Sequence, residues 1–417
     1  MTLLEERRIL LGVTGSIAAY KAVDAASKLT QLGAHVDVIM TEAAQRFVTP
    51  LTFQAVTGQP VYTDLWGAER GGLPTHIAHV GLAENADLLA VIPATADTLA
   101  RLANGFADDL LTITALAARC PLLVAPAMDG GMYEHPATQT NVAVLRERGA
   151  LIVEPEQGRF ASGLHGRGRL PATHTLIGAM RMALGRGGML HNRKVTVTAG
   201  GTREPLDPVR YITNRSSGKQ GHAIAQAAID AGAEVTLITA ARNLPDPYGA
   251  RVIHVETAVQ MYQAVMNNIV SADALIMAAA VADFQPHAVA EQKIKKTEDA
   301  RGGALSLTLE RTPDILMAVK DRRRDTRWPR VIVGFAAESE NLAEHARDKL
   351  ARKGLDLIVA NDITATDAGF ESDNNRVTIF DARGDQQTIE LASKTRISEY
   401  LVRRVANLLT SDSRRRP

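Results

Sequence analysis

At 417 residues the chain exceeds one ordinary domain, and two or three are expected. A hydrophobic fraction of 46% beside 22% charged residues suits soluble globular domains with sizeable cores, and a net charge of +1 gives no electrostatic case for nucleic acid or membrane. The single cysteine, Cys120, excludes an internal disulfide and fits a reducing compartment. The first residues show no basic-then-apolar leader, and no apolar run reaches the roughly 18 residues of a membrane span, so a cytoplasmic protein is expected. The tail 411–417 (SDSRRRP) reads as a disordered end.

The chain opens with a short apolar strand at 9–13, then Thr14-Gly15-Ser16, a helical segment to Leu32, and a second strand at 34–40. This is a βαβ opening. Strands recur at 87–92, 121–125 and 151–153, with helical segments between them, which argues for a parallel sheet covered on both faces. Such sheets bind ligands at the carboxyl ends of their strands. Those ends carry 12–16, Thr41-Glu42, 93–97 and 126–132. Each is a polar or glycine-containing turn, as one shared site requires. No dinucleotide fingerprint is present. Gly12, Gly15 and Ser16 offer amides and a hydroxyl to one phosphate, which suits a mononucleotide better than NAD. The run PATAD (93–97) opens a helix with Thr95 as candidate N-cap, and plain capping explains Thr95 and Asp97 equally well. His76 precedes a helical segment, where the helix dipole favours a neutral imidazole base. A lone histidine does not by itself establish catalysis.

The passage 156–188 is glycine-rich and reads as a loop over the site, a short helix and a linker. A second βαβ series begins at Lys194, with strands at 195–198, 234–238, 252–255, 274–278, 331–335 and 357–360, and a late strand or hairpin arm at 377–380. The expected fold class is α/β: two open doubly wound, Rossmann-like parallel-sheet domains in series, 1–188 and 189–417. They share an architecture without repeating a sequence.

The second series is organised around 199–221 (AGGTREPLDPVRYITNRSSGKQG), a glycine-rich loop between a strand and a helix. It carries Arg203, Arg210, Arg215, Asn214 and Lys219. It is not a Walker A loop, because Thr213 and Gln220 stand where Gly and Ser or Thr are needed, and it is not GxGxxG. It reads as an anion or nucleotide loop of unusual type, or else as a basic solvated loop. The run 278–284 (AAAVADF) ends a buried strand on small residues, so a flat ligand can approach the backbone. Asp283 lies at its end. The cluster Lys293-Ile294-Lys295-Lys296 follows, then Thr312 and Pro313 at the N-cap and first position of a helix. Phe335 lies at a further strand end. Lys349 and Lys353 lie four apart on one helix face, and Asn361-Asp362 follow the next strand.

With these motifs in place, the chain resembles the bifunctional flavoproteins of coenzyme A biosynthesis. They join a phosphopantothenoylcysteine decarboxylase to a phosphopantothenate–cysteine ligase. Residues 8–175 resemble flavin-dependent cysteine decarboxylases through GVTGSIAAYK (12–21), His76-Ile77, PATAD and PAMDGGMY (126–133). The resemblance implies FMN bound at a trimer interface, with contacts from Gly15, Ser16, Thr41, Pro93 and Thr95, and His76 as the base assisting oxidation of the substrate's thiol. For the second half it implies activation of 4′-phosphopantothenate by CTP as an acyl-cytidylate, then attack by the cysteine amine. Met277, Ala278, Ala279, Asp283, Lys293, Pro313, Asp314, Ile315, Leu316, Phe335, Lys349 and Lys353 would hold CTP. Arg210 and Asn214 would meet the acyl-cytidylate, and Lys293 would serve the first half-reaction. The triphosphate implies Mg²⁺. Trimeric flavin halves and dimeric ligase halves imply a dodecamer.

Two positions depart from the family pattern. Asp129 stands where an asparagine donates to the substrate carboxylate, and an ionised Asp129 would repel it. Ser162 stands where a cysteine is thought to protonate the ene-thiolate, and a hydroxyl is a far weaker acid than a thiol. Cys120 cannot stand in, because eight residues at about 3.3 Å each put it roughly 25 Å from Met128. His165 is a candidate substitute donor. These departures leave a second reading open. In it the chain is a ligase only, and its flavin half is a binding and oligomerisation module or stalls at the oxidised ene-thiol. A third reading, an NAD-linked dehydrogenase, lacks its GxGxxG.

Overall fold

The computed structural model describes residues 2–65, 78–159, 163–295, 306–338, 341–362 and 372–413. The chain divides into two compact units, Met1–Arg186 and Gly187–Pro417.

The first unit holds a six-stranded sheet in the order Val61–Tyr62, His35–Met40, Arg8–Val13, Leu88–Ala94, Leu122–Pro126, Leu151–Ile152. Every neighbouring pair is parallel. The central strands are nearly continuous apolar runs because helices cover both faces. All seven residues of Leu88–Ala94 are buried, as are five of the six in Arg8–Val13. Strand order reverses between these two strands, so the crevice at their carboxyl ends is the switch point where such sheets take ligands. The sequence expectation missed Val61–Tyr62, which is too short to show a period. It also read 156–169 as a loop, whereas Glu156–Arg159 pairs antiparallel with His165–Arg169 as a hairpin. Helix Thr173–Gly185 follows.

The second unit holds eight strands in the order Arg251–His254, Glu234–Thr239, Lys194–Ala199, Ala274–Met277, Val331–Glu338, Leu357–Asp362, Asn374–Asp381, Gln386–Ser393. The first six are parallel. The last two join antiparallel, so the expected parallel sheet is a mixed one with a hairpin at its edge. The link 382–385 is far too short for the crossover a parallel pair needs.

Three helices share a core with one face of this sheet. Met261 and Val265 of Ala258–Asn268, Ile315 and Val319 of Ile315–Thr326, and Ala346 of Leu342–Lys353 pack with Leu275, Ile332 and Ile358. Helix Lys219–Asp230 connects strands that run the other way along the sheet, so a right-handed crossover sets it on the opposite face. The last helix, Lys394–Ser413, packs against it.

Candidate active sites

In the first unit the residues after the two central strands are tied to one another. Thr14, buried, donates from Oγ1 to the Pro93 carbonyl at 2.7 Å and accepts from the Thr95 amide at 3.1 Å. Thr95 caps helix Ala96–Asn104 by accepting from the Thr98 amide, and Asp97 pairs with Arg101 at 2.9 Å. Capping is therefore present at Thr95, beside the crevice. Ser16 Oγ accepts from the Ala18 amide and Thr41 Oγ1 from the Ala44 amide, which fixes both hydroxyls at the same edge. A Cβ on Gly15 would stand 2.5 Å from the Ala43 methyl, so only glycine lets the first turn lie this close to the turn after the second strand.

Asp129 is the N-cap of the short helix Gly130–Glu134 and accepts from the Gly131 amide at 3.2 Å. The hairpin closes on this turn. The Met128 amide donates to the Gly168 carbonyl at 3.0 Å, and a Cβ on Gly168 would meet the Met128 carbonyl oxygen at 2.2 Å. A carboxylate anchors the hairpin's base. Glu154 accepts from Tyr133 at 2.9 Å and pairs with Arg146 and Arg167. Burial first, and the Glu154 carboxylate second, push the Tyr133 phenol up to about 12. His165 is exposed at the start of the returning strand. Burial pushes the Cys120 thiol up, and Cys120 lies before the amino end of its strand, away from this crevice. His76 and Ser162 lie outside the described residues.

In the second unit a cavity of about 840 Å³ runs along the carboxyl edge of the sheet. It is lined by every residue expected to hold CTP or the acyl-cytidylate except Lys293 and Arg210. The wall formed by 277–283 is held open by two threonines. The Ala279 amide donates to Thr198 Oγ1 and the Ala282 amide to Thr202 Oγ1. Asn214 closes one side, donating from Nδ2 to the Val281 carbonyl at 3.1 Å. On the other side Lys349 donates to the Phe335 carbonyl at 2.9 Å, and Lys353 pairs with Asp314. Burial opposes ionisation of Asp314, yet Lys353 prevails and holds its carboxyl below the usual range. Asp314 corrects the expected cap: it, not Thr312, is the N-cap of helix Ile315–Thr326 and accepts from the Met317 amide. Thr312 instead donates to the Ala282 carbonyl.

Arg210 and the Ile294 backbone, next to Lys293, meet at Asp207. The Asp207 side chain is fully buried, and it accepts from the Val209, Arg210 and Ile294 amides and from the Arg210 guanidinium. Arg210 holds that carboxyl far below the usual range and also donates to the Ile294 carbonyl. One aspartate thus fastens both the 199–221 loop and the segment bearing Lys293, whose side chain is exposed. Asp207→Asn is expected to release that segment and speed tryptic cleavage near Lys293 and Lys295 with the rest of the fold retained. Equal cleavage rates would contradict the anchoring.

Residues 190–409 match the family described as the DNA/pantothenate metabolism flavoprotein C-terminal domain, and residues 2–185 match the flavoprotein family. Over 97% of its length the chain is 44% identical to the coenzyme A biosynthesis bifunctional protein CoaBC of Bacillus subtilis, spanning 98% of that protein. It is 46% identical to the protein of the same name from Mycobacterium tuberculosis H37Rv, over 98% of both chains. The chain belongs to the family of coenzyme A biosynthesis bifunctional proteins. A crystal structure of the C-terminal domain of CoaBC shares 33% identity over 54% of this chain and all of that one, with a TM-score of 0.45.

As a member of this bifunctional family, the chain is an enzyme of coenzyme A biosynthesis that pairs ligation with decarboxylation. The cavity also includes Ser216, Gly218, Gln220, Asn375 and Lys394, none of which was singled out as a site residue from sequence. Ser216, Gly218 and Gln220 lie in the glycine-rich stretch that was read as an anion loop, so its composition pointed to them. Asn375 and Lys394 come from the edge hairpin and the last helix. Their one sequence signal is a lysine at the start of a helix, where the dipole disfavours a cation.

Proposed function

We propose that the second unit joins 4′-phosphopantothenate to cysteine at the expense of CTP, and that the first decarboxylates the product to 4′-phosphopantetheine in the cytoplasm. The observation that carries the ligase reading is the cavity. Small residues at 278–280 admit a flat base, Phe335, Ile315 and Leu316 supply an apolar wall, and lysines stand at its rim. A carboxylate is a poor electrophile, so its oxygen attacks the α-phosphorus and pyrophosphate departs. The cysteine amine then attacks the acyl carbon and CMP leaves. Charge gathers on phosphate oxygens in the first step, where Lys349, Lys353 and Lys293 supply positive potential. Asn214, whose side-chain amide donates one N–H to the Val281 carbonyl, would offer the other to the acyl group in the second. Among the described residues no three or more His, Cys, Asp or Glu side chains are grouped so that they could hold a metal ion, so Mg²⁺ would be held chiefly by phosphate oxygens and water.

In the first unit, Gly15, Ser16, Thr41, Pro93 and Thr95 form a cradle that fits a mononucleotide. Its hydroxyls are oriented, and glycine at 15 lets the two turns that carry Ser16 and Thr41 lie close together. These residues would hold FMN, which when bound supplies oxidation of the substrate's cysteine thiol. The hairpin, closed on Met128, shields the reacting carboxylate from water. Asp129 would bind that carboxylate through water, a cation or its own proton. His76 would act as base, and Ser162 or His165 would return the proton. An assembly of trimeric flavin halves and dimeric ligase halves would have exposed apolar side chains to cover in both units: Ile17, Tyr20, Phe47 and Leu51 in the first, and Val209, Tyr211, Phe284 and Leu309 in the second.

The test is to supply 4′-phosphopantothenate, CTP and Mg²⁺ without cysteine. The ligase reading requires pyrophosphate release and an enzyme-bound CMP adduct in mass spectra. Absence of both would overturn it.

A further inference from the structure

Two helices of the second unit begin with a lysine at the cavity: Lys219 opens Lys219–Asp230 and Lys394 opens Lys394–Ser413. Each placement is unfavourable by itself. The first turn of a helix carries positive potential and disfavours a cation. Lys394 is also only 6% exposed, and taking an ammonium out of water is costly. The two lysines repel one another. Burial first, and Lys219 second, lower the Lys394 pKa. Asp373 offsets part of this by pairing with Lys219 at 2.7 Å, but its side chain is 85% exposed and solvent screens it.

Both lysines nevertheless line the cavity. Gln220 donates from Nε2 to the Lys394 carbonyl and to Ser398 Oγ, which locks the two helix starts together. An anion in the cavity would offset these costs, since helix N-termini, loop amides and ammonium groups all favour phosphate.

The cavity crosses the sheet edge. Lys349, Lys353 and the apolar wall of Ile315, Leu316 and Phe335 belong to the strands and helices of one side. Lys219 and Lys394 belong to the opposite face. The apolar wall suits a base, and the paired helix starts with Gly218 add a second, opposite set of anion partners to Lys349 and Lys353.

We propose that Lys394, together with Lys219, is the positioning residue for the polyphosphate end of the nucleotide and for the pyrophosphate that leaves. This rests on the nucleotide reading of the cavity and extends it to residues that reading did not include.

Titration calorimetry on the full-length protein with Mg²⁺ tests it, using CMP, CTP and inorganic pyrophosphate as ligands. Lys394→Met keeps the length of the side chain and removes its charge. It is expected to weaken CTP and pyrophosphate at least about tenfold while CMP changes less than about twofold. Lys394→Arg should recover part of the loss. If CMP weakens as much as CTP, Lys394 supports the fold of the cavity and the proposal fails. If none of the three changes, it also fails. If the unaltered protein binds neither CMP nor CTP, the nucleotide reading itself falls, and this inference with it.

Discussion

Asn214→Ala is expected to lower kcat/KM for ligation by about 100- to 1,000-fold while CTP binding changes little. Asn214 follows the small strand Tyr211–Thr213, which pairs with Arg203–Pro205 and folds the loop back over the cavity. Its position is tightly set. A Cβ on Gly201 would meet the Asn214 carbonyl oxygen at 2.6 Å, and its side-chain amide already donates to the Val281 carbonyl at the cavity wall. A fixed donor of this kind gains most where charge develops during acyl transfer and loses nothing to reorganisation. Quenched-flow separation of the two half-reactions checks the assignment. Adduct formation should persist while transfer to cysteine slows. A variant that ligates at the normal rate would remove Asn214 from the chemistry.

Gly168→Val should separate the two activities. The Gly168 backbone lies against the Met128 carbonyl, with no room for even a Cβ at 2.2 Å, so any side chain pushes the strand His165–Arg169 off the 126–129 turn. Displacement of about 1 Å in a reacting geometry costs on the order of 100-fold in rate. Decarboxylation is therefore expected to fall by roughly that factor, and ligation by the second unit to continue unchanged. Equal loss of both activities would show that the substitution unfolds the chain rather than moving the hairpin.

Much of this was legible in the sequence because buried parallel strands are written as short apolar runs that end in glycine, proline or polar turns. Ala274–Met277 and Leu88–Ala94 are of this kind. The switch-point residues Thr14, Thr95 and Ala278 fall at such ends, so placing the strands placed them. Three small antiparallel pairs among the described residues were not legible. Arg203–Pro205 with Tyr211–Thr213, Glu156–Arg159 with His165–Arg169, and Phe284–Pro286 with Leu309–Arg311 are polar or glycine-rich, and their pairing is decided by what they fold over. Arg210 shows the same limit. Its residue type suggests an anion partner, but only the fold reveals that Asp207, three residues back, is buried and engaged with it. Lys394 was hidden for a different reason. It reaches the cavity through an antiparallel edge that brings distant sequence beside the loop at 199–221.

The measurement that decides most is a mass-spectrometric product assay on the purified protein given 4′-phosphopantothenate, cysteine, CTP and Mg²⁺. Running both steps predicts 4′-phosphopantetheine formed with repeated turnover, despite Asp129 and Ser162. Accumulation of 4′-phosphopantothenoylcysteine alone, or of a species two hydrogens lighter than 4′-phosphopantetheine, would contradict it. The first would leave the flavin half a scaffold, and the second would place the failure at proton return.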